Sequence, residues 1–403
     1  MGVFDRLRRR SGPDRFAAEV LAALRATGIS HGRYDRTEFS IEYRRRPGSE
    51  AAWLYLQNIY AECQREPHSR AERIRRFVAT FTRMPEVPET WTAAREGLRP
   101  VLRAATFARG TDTVRPAPLR RPAFPYLDEM VVVDQPTSMA YVSDATCALW
   151  GVSAEEAFAT ARANLAARAG LPPAEQAAGR VMLRFVDDGD AYWVSHLLLD
   201  GWLASLAEHV GGTPVAFAPD VRSLVVVAGD PDPLPELFDL VERHFTDSPR
   251  PLSPMAYTVD PAGRVGPLEV AGTHPASVAT QRALRVLAAS EYGAQQNILQ
   301  DTVEDYVASY GVFGTAEGTT FSVAAWTRGT HVLLPKVDFV AFNVAVGSTF
   351  FVPWDVVMEA DVLVESPHYR PARFRGEVWP SPTAFGYLRE RAVPVDLGRP
   401  VPR

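Results

Sequence analysis

YLDEMVVVDQPTSMAYVSDATCALWGVSAEEAFATARANLAAR, running from Tyr126 to Arg168, decides the fold class. Met130 to Val133 is a short apolar run rich in β-branched residues and predicts a strand; Met139 to Val142 predicts a second strand beyond the turn at Pro136. Two alanine-rich segments follow at helical spacing, so helices are expected over the strands, with Trp150, Phe158 and Leu165 closing on Val131 to Val133. Asp128 and Glu129 are expected ahead of the first strand. No nucleophile with a partnered base lies in the stretch, which therefore reads as scaffold.

Toward the N-terminus, Phe16, Val20, Leu21 and Leu24 mark an amphipathic helix over Asp14 to Ala26, and alternation through Phe39, Ile41 and Tyr43 marks a half-buried strand ending at Pro47 and Gly48. A helix is expected from Glu50 to Gln64. Another starts at Ser69, which has capping-box spacing to Glu72, and buries Ile74, Phe77, Val78 and Phe81. Its arginines form either a solvated face or a phosphate-binding one. The segment from Pro85 to Ala108 predicts a further helix, and Arg109 to Pro125 a basic, proline-bearing connector.

Toward the C-terminus, Val181, Leu183 and Phe185 alternate into the turn DDGD, and a helix is expected from Trp193 to Val210, ended by Gly211 and Gly212. Pro214 to Ala218 and Ser223 to Ala228 read as a hairpin linked through Asp220. Leu234 to Phe245 is a helix with Pro235 in its first turn. A long helix from Pro275 to Gln300 carries Val278, Leu284, Val286 and Leu287. Beyond it, Val307 to Phe313, Phe321 to Trp326, Phe339 to Val346 and Phe350 to Val352 are strand-like runs. The expected class is α+β, a mixed helix/sheet main domain followed by a smaller, mostly antiparallel β-rich C-terminal domain, divided at residues 1–125, 126–270 and 271–403.

A chain of 403 residues suits two or three domains, and 46% hydrophobic with 23% charged residues suits a packed core throughout. A net charge of -5 provides no basic field, so nucleic acid is not an expected partner. Cys63 and Cys147 lie among apolar or aromatic neighbours, as reduced buried thiols of a cytoplasmic protein do. No run is apolar enough to span a bilayer, and MGVFDRLRRR lacks the apolar core of a signal peptide. Arg6 stands where myristoylation at Gly2 would want Ser or Thr, while Val3, Phe4 and Leu7 among arginines suit either a membrane surface or a solvated helix start.

The opening stretch, with WLYLQNIYAEC (Trp53 to Cys63), DDGDAYWVSHLLLDGWL (Asp187 to Leu203) and PVAFAPDVRSLVVVAGDPD (Pro214 to Asp232), resembles the YtpQ-like family of bacterial proteins of unknown function. The resemblance covers roughly Phe16 to Leu268. Tyr141, Val142, Ser143, Asn164 and Leu165 occupy the family's strand-to-helix places, and Arg222 stands near its proline-x-arginine-aspartate step. Where the family has serine-arginine after DDGD, this chain has Ser195 and His196. FSVAAWTRGTHVLLPKVDFVAF and FFVPWDVV look like an extension of actinobacterial relatives. The resemblance implies fold boundaries and no catalytic activity.

No G-x-S-x-G elbow is present, and Ser195 and His196, adjacent on a helix, would point about 100° apart. Ser195 is expected near a helix start and His196 at a polar edge. GRVGPLEVAG lacks the lysine of a phosphate loop, and eight scattered histidines make no zinc set. Asp187, Asp188 and Asp190 about Gly189 suit a hard cation but fail the EF-hand spacing and equally suit a turn.

Two clusters are pocket candidates. Asp301, Glu304, Asp305 and Tyr306 suit a proton, a cation or a solvated helix end. Trp326, Arg328, His331, Lys336 and Asp338 with Trp354 and Trp379 suit an anionic or planar ligand, a protein partner, or a core with rim charges. The expected function is binding of a protein or small molecule without catalysis or cofactor, in a groove where the main and C-terminal domains meet. The alternative is an enzyme using a divalent cation held at residues 187–190 or 301–305.

Overall fold

The computed structural model describes residues 12–29, 31–44, 51–65, 67–82, 87–109, 117–135, 138–168, 175–177, 180–186, 192–315 and 318–400. The chain forms two compact units, Met1–Arg99 with Val132–Ser153, and Pro100–Val131 with Ala154–Arg403. The class is α+β.

The first unit opens with α1 (Gly12–Ala26) and an antiparallel meander of β1 (Gly32–Asp35), β2 (Ser40–Arg44) and β3 (Ala51–Tyr55). Then come α2 (Gln57–Arg65) and α3 (Arg70–Thr82). Phe16, Val20 and Leu24 recur at helical spacing and share one core with Ile41, Tyr43, Leu54, Ile74 and Val78. Each such side chain contributes ~1.5–3 kcal/mol of burial.

The helix expected from Glu50 is instead β3 followed by α2, with Leu54 opposite Ile41 and Ala52 opposite Tyr43. Ala51 to Tyr55 suits either period. The unpaired edge of β2 decides, because its backbone groups need partners. On α3, Ile74 and Val78 are buried as expected and Phe77 packs on the same core; the Phe81 side chain is outside the described residues. Arg70 meets Glu19 at 2.8 Å, Arg73 meets Glu62 at 3.7 Å and Arg76 meets Glu72 at 2.8 Å, so these arginines face carboxylates.

The helix expected before residue 108 shrinks to α4 (Trp91–Ala94), and the chain then becomes β4 (Leu98–Ala104). Leu98 to Leu102 are buried at every position, as in a strand covered on both faces rather than a one-sided helix. The expected connector contains an edge strand, β5 (Arg120–Phe124), paired with β6 (Leu127–Gln135) across an irregular register at Pro122. An edge tolerates proline because no ladder bond is lost there. Asp128 and Glu129 lie inside β6 and are buried, contrary to expectation. In the first unit the far half of β6 pairs with β7 (Ser138–Tyr141). Ser143 then caps α5 (Asp144–Trp150), accepting from the Thr146 amide at 3.1 Å. Trp150 donates to the Pro88 carbonyl at 2.8 Å.

In the second unit α6 (Ala154–Ala166) buries Phe158 and Leu165. β8 (Glu175–Ala177), β9 (Arg180–Val186), β10 (Pro214–Phe217), β11 (Ser223–Ala228), β12 (Ala256–Val259) and β13 (Val265–Pro267) form an antiparallel sheet in the order β13-β12-β10-β11-β9-β8. The hairpin through Asp220 is its centre. The single helix expected from Trp193 is broken into 3₁₀ turns and the short α7 (Ala207–Val210), although Gly211 closes it at φ 77 as expected. Leu197, Leu198, Leu199, Trp202 and Leu203 are all buried, and Gly201 at φ 75 interrupts the helical path. α8 (Leu234–Asp247) takes Pro235 in its first turn.

α9 (Ser277–Leu299) buries Ala283, Leu287, Ala288 and Tyr292, whereas the expected Val278 and Leu284 are exposed. Ala283, Leu287, Ala288, Tyr292 and Gln295 recur at helical spacing and so share that face. After it come β14 (Tyr306–Val307), β15 (Gly311–Gly314), β16 (Thr320–Thr327), β17 (Val332–Pro335), β18 (Phe339–Ala345), β19 (Ser348–Pro353), α10 (Trp354–Glu359), β20 (Val364–Ser366), β21 (Arg373–Gly376), α11 (Pro382–Glu390) and β22 (Arg399–Pro400). They make two sheets, β14-β17-β21-β20 and β19-β18-β16-β15-β22. Pairing is mostly antiparallel, as expected, but β16 with β18 and β14 with β17 are parallel. The first parallel pair follows from β17 crossing to the other sheet between them.

Candidate binding groove

β16, β18 and β19 send alternate side chains to opposite sides of their sheet. One set, including Trp326, Val340, Phe342 and Val352, packs with Tyr292 of α9 in the core. The other set is small at its centre. Ala325 lies beside Ala341, and Val323 lies beside Gly311. Short side chains in adjoining rows leave a trough of about 420 Å³ walled by Phe313, Phe351 and Tyr306. Tyr306 is 53% exposed. Asn343 and Thr349 make a polar rung, the Thr349 hydroxyl donating to Asn343 Oδ1 at 2.8 Å. The lining contains no carboxylate, imidazole, amine, guanidinium or thiol.

The sequence had marked other residues. Trp326 is fully buried on the core side, donates from Nε1 to the Thr330 carbonyl at 3.1 Å and meets Trp379 edge-on at 5.7 Å. Arg328 is exposed on the turn beyond β16, its amide donating to the Asn343 carbonyl at 2.9 Å. Trp354 donates its amide to the Asp338 carbonyl at 2.9 Å and meets Phe374 at 4.8 Å. His331 and Lys336 are exposed. The expected constellation thus divides between core and rim. Asp305 pairs with Arg375 at 2.8 Å, Asp301 and Glu304 are exposed, and Tyr306 alone of that cluster reaches the trough.

Ser195 and His196 are both buried. His196 is not at a polar edge: its ring lies 5.0 Å from Trp193 and 4.9 Å from Trp202, with Nδ1 3.2 Å from the Tyr192 carbonyl. Arg222 is exposed in a turn where its amide and that of Ser223 donate to Asp220 Oδ1 at 2.8 and 2.7 Å. Asp187, Asp188 and Asp190 lie outside the described residues. Among the described residues no group of three His, Cys, Asp or Glu side chains is placed to hold a metal ion.

Two polar networks lie in the same C-terminal region, one buried and one partly buried. Arg373 is fully buried and donates to Gln295 Oε1 at 2.6 Å and to the carbonyls of Ala308, Leu333 and Tyr292 at 2.9, 3.0 and 3.2 Å. Burial pulls its guanidinium down to about 10, so it stays charged at neutral pH. Asp338 accepts two bonds from Arg285, at 2.9 and 3.1 Å, and two from Ser322, at 2.6 and 2.7 Å. Burial opposes its charge, but these donors outweigh it and hold the carboxyl below its ordinary value. Elsewhere in the second unit, Glu129 is clasped by Arg121 at 2.7 Å and by Nε and Nη2 of Arg162 at 2.8 and 2.7 Å. The β5–β6 hairpin sets this up, because it puts Arg121 opposite Glu129.

The trough residues Ala325, Ala341, Asn343, Thr349 and Phe351 were not singled out by the sequence. β16 is apolar on both sides, so alternation does not tell floor from core. Compared with family models, curated proteins and solved structures, the chain finds no match. Among the described residues no helix is long and apolar enough to cross a membrane.

Proposed function

We propose that the protein is a binding module without catalysis, and that the trough on the outer face of β15, β16, β18 and β19 holds its ligand. The observation that carries this reading is a floor of Gly311, Val323, Ala325 and Ala341 within an uncharged lining of about 420 Å³, a volume usual for ligand pockets. The trough lies within the C-terminal region rather than at the domain junction expected from the sequence. Its chemistry suits an apolar or aromatic group with one polar end, met by Asn343 and Thr349. The reading includes a cytoplasmic setting, supported by the buried free thiols of Cys63 and Cys147. It also includes YtpQ-like membership, supported by the Tyr141-to-Ser143 and Asn164-Leu165 steps.

The test is titration with Nile red, a neutral planar dye. The wild-type chain is expected to enhance its fluorescence saturably, and Ala325→Trp or Ala341→Trp, each filling the floor, to weaken binding at least about tenfold, or ~1.4 kcal/mol. Circular dichroism checks that the variants fold. Equal dye affinity in both folded variants and the wild type would overturn the reading.

A further inference from the structure

The chain does not leave the C-terminal region after α11. The Val393 amide donates to the Phe351 carbonyl at 2.9 Å, on the edge strand β19. Arg399 and Pro400 pair with Gly314 and Phe313 of β15, on the far side of β18 and β16. Residues 394–398 therefore cross the open face, where Leu397 contributes to the trough lining. Val393 lies outside β19 and Arg399 outside β15, so the segment is a strap between opposite edges of the sheet.

The strap is held lightly. Leu397 is 38% exposed, and the Gly398 amide turns back to Asp396 Oδ1 at 3.1 Å instead of pairing with the sheet. Pro394 and Pro400 have no amide hydrogen to give. One close approach governs its seating. Gly398 has φ 32, and a Cβ there would lie 2.2 Å from the Gly314 carbonyl oxygen, so only glycine passes over β15.

We propose that the trough is an interaction surface for an extended peptide supplied by another chain, and that the C-terminal strap occupies part of it in cis until displaced. This rests on the binding reading above and names its ligand class. The seated strap displays the recognition chemistry: backbone pairing with β15 and one apolar side chain directed at the trough, the two elements of strand addition to a sheet. The trough remains open beside Leu397, so a partner's larger apolar side chain inserts further than leucine does. A short tether presents the strap at roughly millimolar effective concentration. If the strap is seated nine-tenths of the time, it weakens a competing peptide about tenfold.

The probe is a fluorescein-labelled peptide of residues 391–400, RAVPVDLGRP, titrated into the full chain and read by anisotropy. Gly398→Val in the protein unseats the strap and leaves the trough intact, and Leu397→Asp does so by a different route if the first variant misfolds. Either is expected to bind the peptide about tenfold more tightly than the wild type, and adding Ala325→Trp is expected to abolish that binding. Equal affinity in wild type and strap variants, or binding that survives Ala325→Trp, overturns the strap proposal. If Nile red still binds in that event, the trough reading stands; if the dye also fails, both readings fall.

Discussion

Glu291 lies midway along α9, only 4% exposed, with Oε2 accepting from the Thr106 amide at 3.0 Å and from its hydroxyl at 2.9 Å. Burial pushes its carboxyl from an ordinary 4.5 up to about 7, against the pull of the Thr106 donors and with a smaller push from Asp128. The folded protein therefore keeps a proton that the unfolded chain has released. Between about pH 4.5 and 7 stability falls as pH rises, and above that window the whole cost is present. At about 1.4 kcal/mol per pH unit, the cost reaches ~3 kcal/mol. Glu291→Gln retains an acceptor for Thr106 and cannot ionise. Relative to wild type, the variant is expected to gain ~2.5 kcal/mol between pH 5 and pH 8 in urea denaturation followed by tryptophan fluorescence. A ¹³C carboxyl titration of Glu291 should bend near neutrality. A stability difference that stays flat with pH, or a carboxyl midpoint in the ordinary acidic range, would refute the reasoning.

Two further outcomes follow from the same buried chemistry. Arg373→Met leaves the carbonyls of Ala308, Leu333 and Tyr292 and the Gln295 oxygen without their donor, an expected loss of ~3–5 kcal/mol seen as a lowered melting temperature. An unchanged melting temperature would show that the network contributes nothing. Gly376→Ala places a Cβ 2.5 Å from the Trp326 ring, an expected cost of ~1–3 kcal/mol, and Trp326→Phe in the same chain should recover part of it. Full additivity of the two losses would argue against that steric account.

The sequence by itself determined the elements whose periodicity is unambiguous. Phe16, Val20 and Leu24 specify α1 and Ile74 and Val78 the buried face of α3, because a one-sided apolar pattern permits only one packing, and the short polar link through Asp220 between two apolar runs specifies a hairpin. Local patterning failed where burial is two-sided and no turn signal marks the ends. Leu98 to Leu102 and the run around His196 are buried at consecutive positions whatever their polarity, Arg99 and Ser195 included, so pattern alone does not say strand, helix or 3₁₀ turn; neighbouring strands and tryptophans do. The burial of Glu129 was not legible, because it depends on Arg121, which the β5–β6 hairpin brings opposite it. The trough was not legible at all. Ala325 and Ala341 lie far apart along the chain from Leu397, and only parallel pairing of β16 with β18, and the return of the tail to β15, place them on one face. Side-chain period is a local property of the backbone, whereas a cavity is the space left by residues that long-range pairing brings together; the first is written in the chain and the second exists only once the sheet has closed.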